Sequence, residues 1–185
     1  MKRIFLIITA LCIFAGTSVN AQTTDYYTGK TEIIGSNYTY KISEKYSHLI
    51  LSNIKNKKFG TIQYWPNGEL APPPGEIGDA VHKIDKSQAL TVFKEIFNSD
   101  EIATFKSSKG QGLAIGINCI VAANGDLIEV EFSFKNHPML KSINPDKFYS
   151  LELKLKEKLK YYIEERFKVL GYIQGGSYSI FFDQL

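Results

Sequence analysis

Glu129 and Glu131 stand two residues apart in an alternating segment. A strand there would project both carboxylates from one face, about 7 Å apart. A glycosidase uses two carboxylates at roughly such a separation. Paired glutamates are equally the ordinary solvated residues of a strand's polar face, and nothing around them predicts a raised pKa. Cys119 is a second candidate, as a nucleophile. A reactive thiol needs an accessible, electropositive setting. Cys119 instead sits between Ile117 and Val121 in an apolar run, where it reads as a small buried hydrophobe. The histidines are His48, His82 and His137. Asp79, His82 and Asp85 are three apart, but no Cys/His cluster has metal-ligand spacing. Asn67-Gly68-Glu69 and Asn124-Gly125-Asp126 are turns without the alternating acids of a calcium loop. No phosphate-cradling glycine loop and no G-x-S-x-G elbow occurs. The expectation is no assembled catalytic set, no metal and no cofactor.

The aromatic residues are the remaining chemistry. Tyr38 and Tyr40 share one strand face, and Tyr64-Trp65 abut a proline-rich stretch. Aromatic rings on exposed strands bind sugars or peptides; otherwise they belong to the core, often with the hydroxyl in water. Tyr64 and Trp65 are the candidate recognition residues beside Pro66 to Gly78, which holds Pro66-Asn67-Gly68 and Pro72-Pro73-Pro74-Gly75. Three prolines in a row favour an extended polyproline stretch, and a plain surface loop is the ordinary reading.

The elements that would position these residues centre on Leu113 to Tyr162. Asn124-Gly125 predicts a two-residue type I′ hairpin turn, because both central residues of that turn need φ > 0. Ala123 then faces Asp126, Val121 faces Ile128, Cys119 faces Val130, Ile117 faces Phe132, and Ile115 faces Phe134. From Val121 and Ile128 to Ile115 and Phe134 that face is wholly apolar. The other face pairs Ala122 with Leu127, Ile120 with Glu129, Asn118 with Glu131, and Gly116 with Ser133, which predicts both glutamates in solvent. A one-residue slip would expose the apolar set, so pattern and turn support the same register. A helix follows, with Asn144 as N-cap and Pro145 at its first position. Phe148, Leu151, Leu155, Leu159 and Tyr162 recur at three- and four-residue steps.

Elsewhere the chain predicts a β-rich third over 31–65. Its strands are Thr31 to Ile34, Tyr38 to Ile42, His48 to Ile54 and Gly60 to Trp65. Gln22 to Lys30 reads as a loose lead. A helix starts at Asp85 with Gln88 in a capping-box pattern, presents Ala89, Leu90, Phe93, Ile96 and Phe97, and ends near Asn98. Ile102 and Phe105 read as a second short turn or tail. After Lys160 two continuations stay open. The helix runs on through Phe167 to a Gly171 cap, or it stops and Tyr161 to Ile163 begins a strand; Tyr161-Tyr162-Ile163 favours the stop. Gly175-Gly176 reads as a turn into a last strand, Ser177 to Phe182.

Met1-Lys2-Arg3, the apolar run Ile4 to Ala15 and Val19-Asn20-Ala21 follow the order of a secretory signal peptide. Residues 1–21 are expected to be removed, leaving 22–185 as one domain with no membrane span. Removing Lys2 and Arg3 takes the formal charge of +3 close to neutral. The remaining basic residues are interleaved with acids, which argues against nucleic-acid binding. Of the two cysteines only Cys119 survives cleavage, so no internal disulfide forms and the core alone must hold the domain.

The run Gly112 to Tyr161 resembles the C-terminal domain of TonB-type envelope proteins. The resemblance rests on the apolar strand Leu113 to Val121, the Asn124-Gly125-Asp126 turn, the strand Leu127 to Phe134 and the helix after Asn144-Pro145. With Ser177 to Phe182 it implies a β-β-α-β unit and a periplasmic style of protein contact. A cleavable signal and a short proline stretch depart from an energy-transducing TonB. The Asn-Ala-Gln end of the signal and the layout are also similar to small secreted Bacteroidetes families of unknown function. The expected architecture is therefore α+β: an antiparallel β-sheet with helices packed on one face, with 85–182 as an α-β-β-α-β core. The expected function is a non-enzymatic periplasmic or secreted protein that binds an envelope protein or a cell-surface component, a glycan among them. The alternative is a small secreted hydrolase or glycan-binding enzyme. Ser177, Tyr178, Ser179 and Ile180 are the second candidate site, as an edge strand open to an incoming peptide.

Overall fold

The computed structural model describes residues 24–71, 81–82, 86–108 and 112–185. The expected signal peptide, the Pro72–Pro74 stretch and the expected Asp85 cap lie outside these residues. The strands are β1 (Glu32–Ile34), β2 (Thr39–Lys45), β3 (His48–Asn53), β4 (Val81–His82), β5 (Ala114–Ala122), β6 (Leu127–Lys135), β7 (Tyr162–Ile163) and β8 (Tyr172–Phe181). The helices are α1 (Lys86–Ile96), α2 (Ser99–Ser107), α3 (Pro138–Lys141) and α4 (Pro145–Lys158). One six-stranded antiparallel sheet runs β1-β2-β3-β6-β5-β8, and β4 pairs with β7. Helix α4 packs on β6 and α1 packs on α4, giving the expected α+β class.

The α4 signals act as the sequence predicts. The Asn144 side chain accepts the Asp146 amide, Pro145 opens the helix, and Phe148, Leu151 and Leu155 are buried. Phe148 lies flat on Phe134 with centroids 5.3 Å apart, and 5.2 Å from Phe132. Truncating such a fully buried ring costs about 3–5 kcal/mol. The helix ends at Lys158, so Tyr161 rather than Tyr162 turns into the core; Tyr162 is exposed on β7.

The β5–β6 register is as expected from Ile115 to Ile120, and the turn is not. The Gly125 amide bonds to the Ala122 carbonyl and the Ala122 amide to the Asp126 carbonyl. Gly125 has φ +87°, whereas Asn124 keeps a negative φ. The loop is thus the three residues Ala123, Asn124 and Gly125: a type I turn closed by a glycine bulge. Val121 consequently pairs with Leu127, not Ile128, and the register shifts beside Ile120. Ile128 is the extra residue that returns the strands to the expected alignment. Pro66-Asn67-Gly68 repeats this geometry, with Gly68 at φ +86° bonding to the Trp65 carbonyl. In both turns the asparagine side chain accepts the amide two residues on. The turn with two positive φ values joins β2 to β3 at Tyr46 and Ser47.

Several expectations are corrected. Gln22 to Lys30 is not wholly loose: Tyr27 is 1% exposed, stacks edge-on against Phe134 and donates its hydroxyl to the Ile143 carbonyl. Ile102 and Phe105 belong to a nine-residue helix with a full capping box, Asn98 with Glu101. Gly60 to Trp65 is not a strand; only Tyr64 bridges, to Leu70. Gly175-Gly176 does not turn. The chain passes straight through it in β8, with a bulge that shifts the register against β5 between Ile117 and Cys119.

Candidate functional site

The sheet face opposite the helices is not wholly open. Ile54 to Ala71 crosses it over Glu129 and the start of β8. Glu129 is 7% exposed, against the expectation of a solvated side chain. Its carboxylate accepts the Lys57 amide at 2.7 Å and the Lys58 amide at 2.9 Å. The Asn56 side chain donates to the Val130 carbonyl. A strand's polar face predicts solvent only where nothing packs on it, and here a distant segment does. Glu131, one row along, is half-buried and bonded to Ser52 and Asn118; burial raises its pKa. The two carboxylates therefore differ in employment, with Glu129 consumed by backbone amides.

This crossing segment carries Tyr64 and Trp65. The Ala71 amide bonds to the Gln63 carbonyl and the Trp65 amide to the Glu69 carbonyl, which closes a hairpin around Pro66-Asn67-Gly68. Side chains alternate across it. On the inner side, the Gln63 amide donates to the Tyr172 carbonyl at 2.8 Å, Trp65 lies 5.7 Å from Phe167, and Ala71 is buried. Thr61 bonds the Tyr172 hydroxyl, and the Lys58 ammonium sits 4.1 Å from that ring's centroid. On the outer side, Ile62, Tyr64 and Leu70 are 69%, 60% and 63% exposed. Tyr64 and Leu70 face one another across the hairpin. Three large apolar side chains thus form a solvent-facing ridge on a hairpin pinned from beneath.

The other candidate residues lie in β8, the last strand of the sheet. Tyr178 and Ile180 face the helix layer, and Ile180 is fully buried. The Phe182 amide bonds to the Leu113 carbonyl. Counting back along the ladder turns the Ser179 amide outward, away from β5. Ser177 is exposed beside the glycine bulge. β4 lies against β8 without a ladder between them. The crossing segment meets β8 at Tyr172, through Lys58, Thr61 and Gln63.

The other reactive groups have structural partners. Cys119 is fully buried; its Sγ lies 3.4 Å from the Tyr161 hydroxyl, and burial pushes its pKa up to about 12. The Tyr178 hydroxyl is buried beside that of Tyr161. Glu152, on α4, accepts from Tyr40, Asn53 and Lys156 at 2.7, 3.0 and 2.6 Å. Tyr40 is fully buried, and Tyr38 stacks on Tyr149 and donates to Asp146, so neither ring offers a face to a sugar. Among the described residues no group of three or more His, Cys, Asp or Glu is placed to hold a metal ion. Among the same residues no helix is long and apolar enough to cross a membrane.

No protein-family model matches the sequence, and no curated protein matches it. The fold is similar to the crystal structure of a DUF5043 family protein from Bacteroides uniformis. The TM-score is 0.66, with 22% identity over 86% of this chain and 88% of that one. At that identity the likeness shows the fold alone, and it is consistent with the Bacteroidetes-type family of unknown function expected from the layout.

Proposed function

We propose that this is an exported, non-enzymatic binding protein of the cell envelope, and that it grips a protein or cell-surface partner with the Ile62–Tyr64–Leu70 ridge. The ridge carries the reading. Contiguous apolar side chains held in solvent on an ordered hairpin are the mark of an interaction surface. Tyrosine contributes a large contact area at a small entropic cost, which suits it to an anchor. Gln63, Trp65 and the Glu129 clamp hold the hairpin in place before any partner arrives, which lowers the cost of binding. The TonB-type resemblance of the sequence implies a periplasmic style of protein contact, which supports this reading. Pairing of a peptide along the outward edge of β8 is the second mode proposed.

The test is partner recovery from native envelope extract by the wild type, by Tyr64→Ser/Leu70→Ser and by Ser179→Pro, with circular dichroism as the folding control. Loss of partner with Tyr64→Ser/Leu70→Ser supports the ridge. Loss only with Ser179→Pro moves the site to the β8 edge, because proline removes one backbone donor. Equal recovery by all three folded proteins, together with cleavage of a glycan or peptide panel by the wild type, establishes the hydrolase alternative.

A further inference from the structure

Asn-Gly occurs twice in the chain, at Asn67-Gly68 and Asn124-Gly125. The pair carries an intrinsic reaction. The glycine backbone nitrogen attacks the asparagine Cγ and loses its proton; the N–Cγ bond forms, the Cγ–Nδ2 bond breaks, and ammonia leaves. Water then opens the resulting succinimide ring. Attack at Cγ gives aspartate, and attack at the main-chain carbonyl carbon gives isoaspartate. Glycine favours ring closure because it has no side chain to hinder the approach and leaves the main chain free to rotate.

The two pairs share a turn geometry, and their surroundings separate them. Each glycine amide bonds back to a carbonyl, Gly68 to Trp65 at 2.9 Å and Gly125 to Ala122 at 2.8 Å. That bond must open before the nitrogen attacks. At Asn124 much else must open with it. Gly125 is buried, and the Tyr161 amide donates to its carbonyl at 2.8 Å. The Ala123 amide donates to the Gly171 carbonyl at 3.0 Å, and the Asn124 Nδ2 donates to the Asp126 carboxylate at 2.8 Å. Asp126 is paired in turn with Lys160. Among the described residues none of this surrounds Asn67. Pro66, Asn67, Gly68 and Glu69 are all exposed, and a Cβ at Gly68 would meet open space. The Asn67 Oδ1 accepts the Glu69 amide at 3.1 Å, and its Nδ2 is free to depart. Opening an exposed turn takes far less free energy than freeing a buried one.

We propose that Asn67-Gly68 is a covalent modification site, where deamidation in the folded protein loosens the hairpin that carries the ridge. Isoaspartate lengthens the main chain by a carbon between Trp65 and Glu69, whose backbone bond closes the turn at 2.8 Å. Either product adds a negative charge beside Glu69. The modification is independent of the binding role, and only its consequence for binding rests on the ridge reading; the experiment uses no partner, so the two fail separately. The purified full chain is incubated in mildly alkaline buffer, folded and in urea, and its peptides are mapped over time by mass spectrometry that separates aspartate from isoaspartate. Trp65 is the sole tryptophan and lies 5.7 Å from Phe167, so its emission follows the hairpin. In the folded protein Asn67 should convert, and Asn124 should convert at least about tenfold more slowly, given the extra hydrogen bonds that hold it. In urea the two should convert at similar rates. Trp65 emission should shift to the red in step with isoaspartate at residue 67. Asn67→Ser keeps an acceptor for the Glu69 amide and cannot form the ring, so its emission should stay constant. No conversion of Asn67 in the folded protein, over the period in which the urea-unfolded chain converts, overturns the proposal. So does conversion of folded Asn124 at the rate of Asn67, conversion at residue 67 that leaves Trp65 emission unchanged, or an equal drift of emission in Asn67→Ser.

Discussion

Glu129→Ala tests whether the segment crossing the sheet is clamped or merely resting there. The wild-type carboxylate accepts two backbone amides, Lys57 and Lys58, at 2.7 and 2.9 Å, from a position 7% exposed. Hydrogen bonds to an ionised acceptor contribute about 1.5–3 kcal/mol each. Two of them set a ceiling of about 3–6 kcal/mol. Lys57 is exposed and Lys58 half-buried, so water replaces part of what their amides lose; the expected cost is about 2–4 kcal/mol. Glu129→Gln keeps one acceptor oxygen and should cost about half as much. The assay is urea denaturation, paired with native-state hydrogen exchange. The Lys57 and Lys58 amides should exchange much faster in Glu129→Ala, while the β5–β6 ladder exchanges in step with global stability. If Glu129→Ala stays within about 0.5 kcal/mol of wild type, the range of ordinary surface changes, and the two amides keep their protection, the clamp is refuted. The hairpin that carries Tyr64 would then be held by its remaining contacts, Thr61 and Gln63 on Tyr172 and Trp65 on Phe167 among them.

Gly125→Ala should destabilise by at least about 2 kcal/mol in thermal melts, because a side chain at φ +87° is strained and its Cβ would meet the Tyr161 carbonyl oxygen, a backbone atom. Gly29→Ala, also at positive φ but with open space around it, should cost only the conformational strain. Cys119 should resist alkylation in native buffer and react only as fast as the protein unfolds, since the thiol is buried and its pKa raised; rapid native labelling would place it elsewhere. Glu131→Gln should stabilise the protein at neutral pH. Burial raises the Glu131 pKa, so the folded protein holds that proton more tightly than the unfolded chain and loses stability as pH rises through the folded pKa. The advantage of Glu131→Gln should therefore shrink as pH falls below the ordinary glutamate range; an advantage independent of pH would contradict it.

What could be read from the sequence follows from whether the information was local. Helix α4 was legible because Asn144, Pro145 and the stripe Phe148, Leu151 and Leu155 lie within a few turns of one another. The β5–β6 register was legible through two offsetting departures: a loop one residue longer than expected and an extra residue at Ile128. Asn-Gly pairs invite a two-residue turn, yet here the asparagine stays at negative φ. At the second turn Pro66 makes that conformation the favoured one, since proline suits the first central position of a type I turn. The two positive φ values fall at Tyr46 and Ser47, residue types that carry no such signal. The capping box Asn98-x-x-Glu101 was present in the sequence and would have identified α2. The burial of Glu129 was not legible at all, because the covering segment is some 70 residues away in the chain. Tyr27 reaches the core through Phe134 and Ile143, again at long range. Tyr64 and Trp65 were marked by their place beside the prolines, but only the alternation of the folded hairpin separates the exposed Tyr64 from Trp65 on Phe167.

The most direct measurement is site-specific photocrosslinking from residue 64. A photoreactive phenylalanine analogue replaces Tyr64, and in a control Tyr46, which is 86% exposed at the β2–β3 turn and away from the ridge. Both proteins are irradiated in intact cells of the native host and their adducts resolved by mass. If the ridge is the binding surface, residue 64 yields a discrete adduct that residue 46 does not, and Leu70→Ser diminishes it. Adducts from both positions alike, or from residue 46 only, would contradict the assignment of binding to the Ile62–Tyr64–Leu70 ridge.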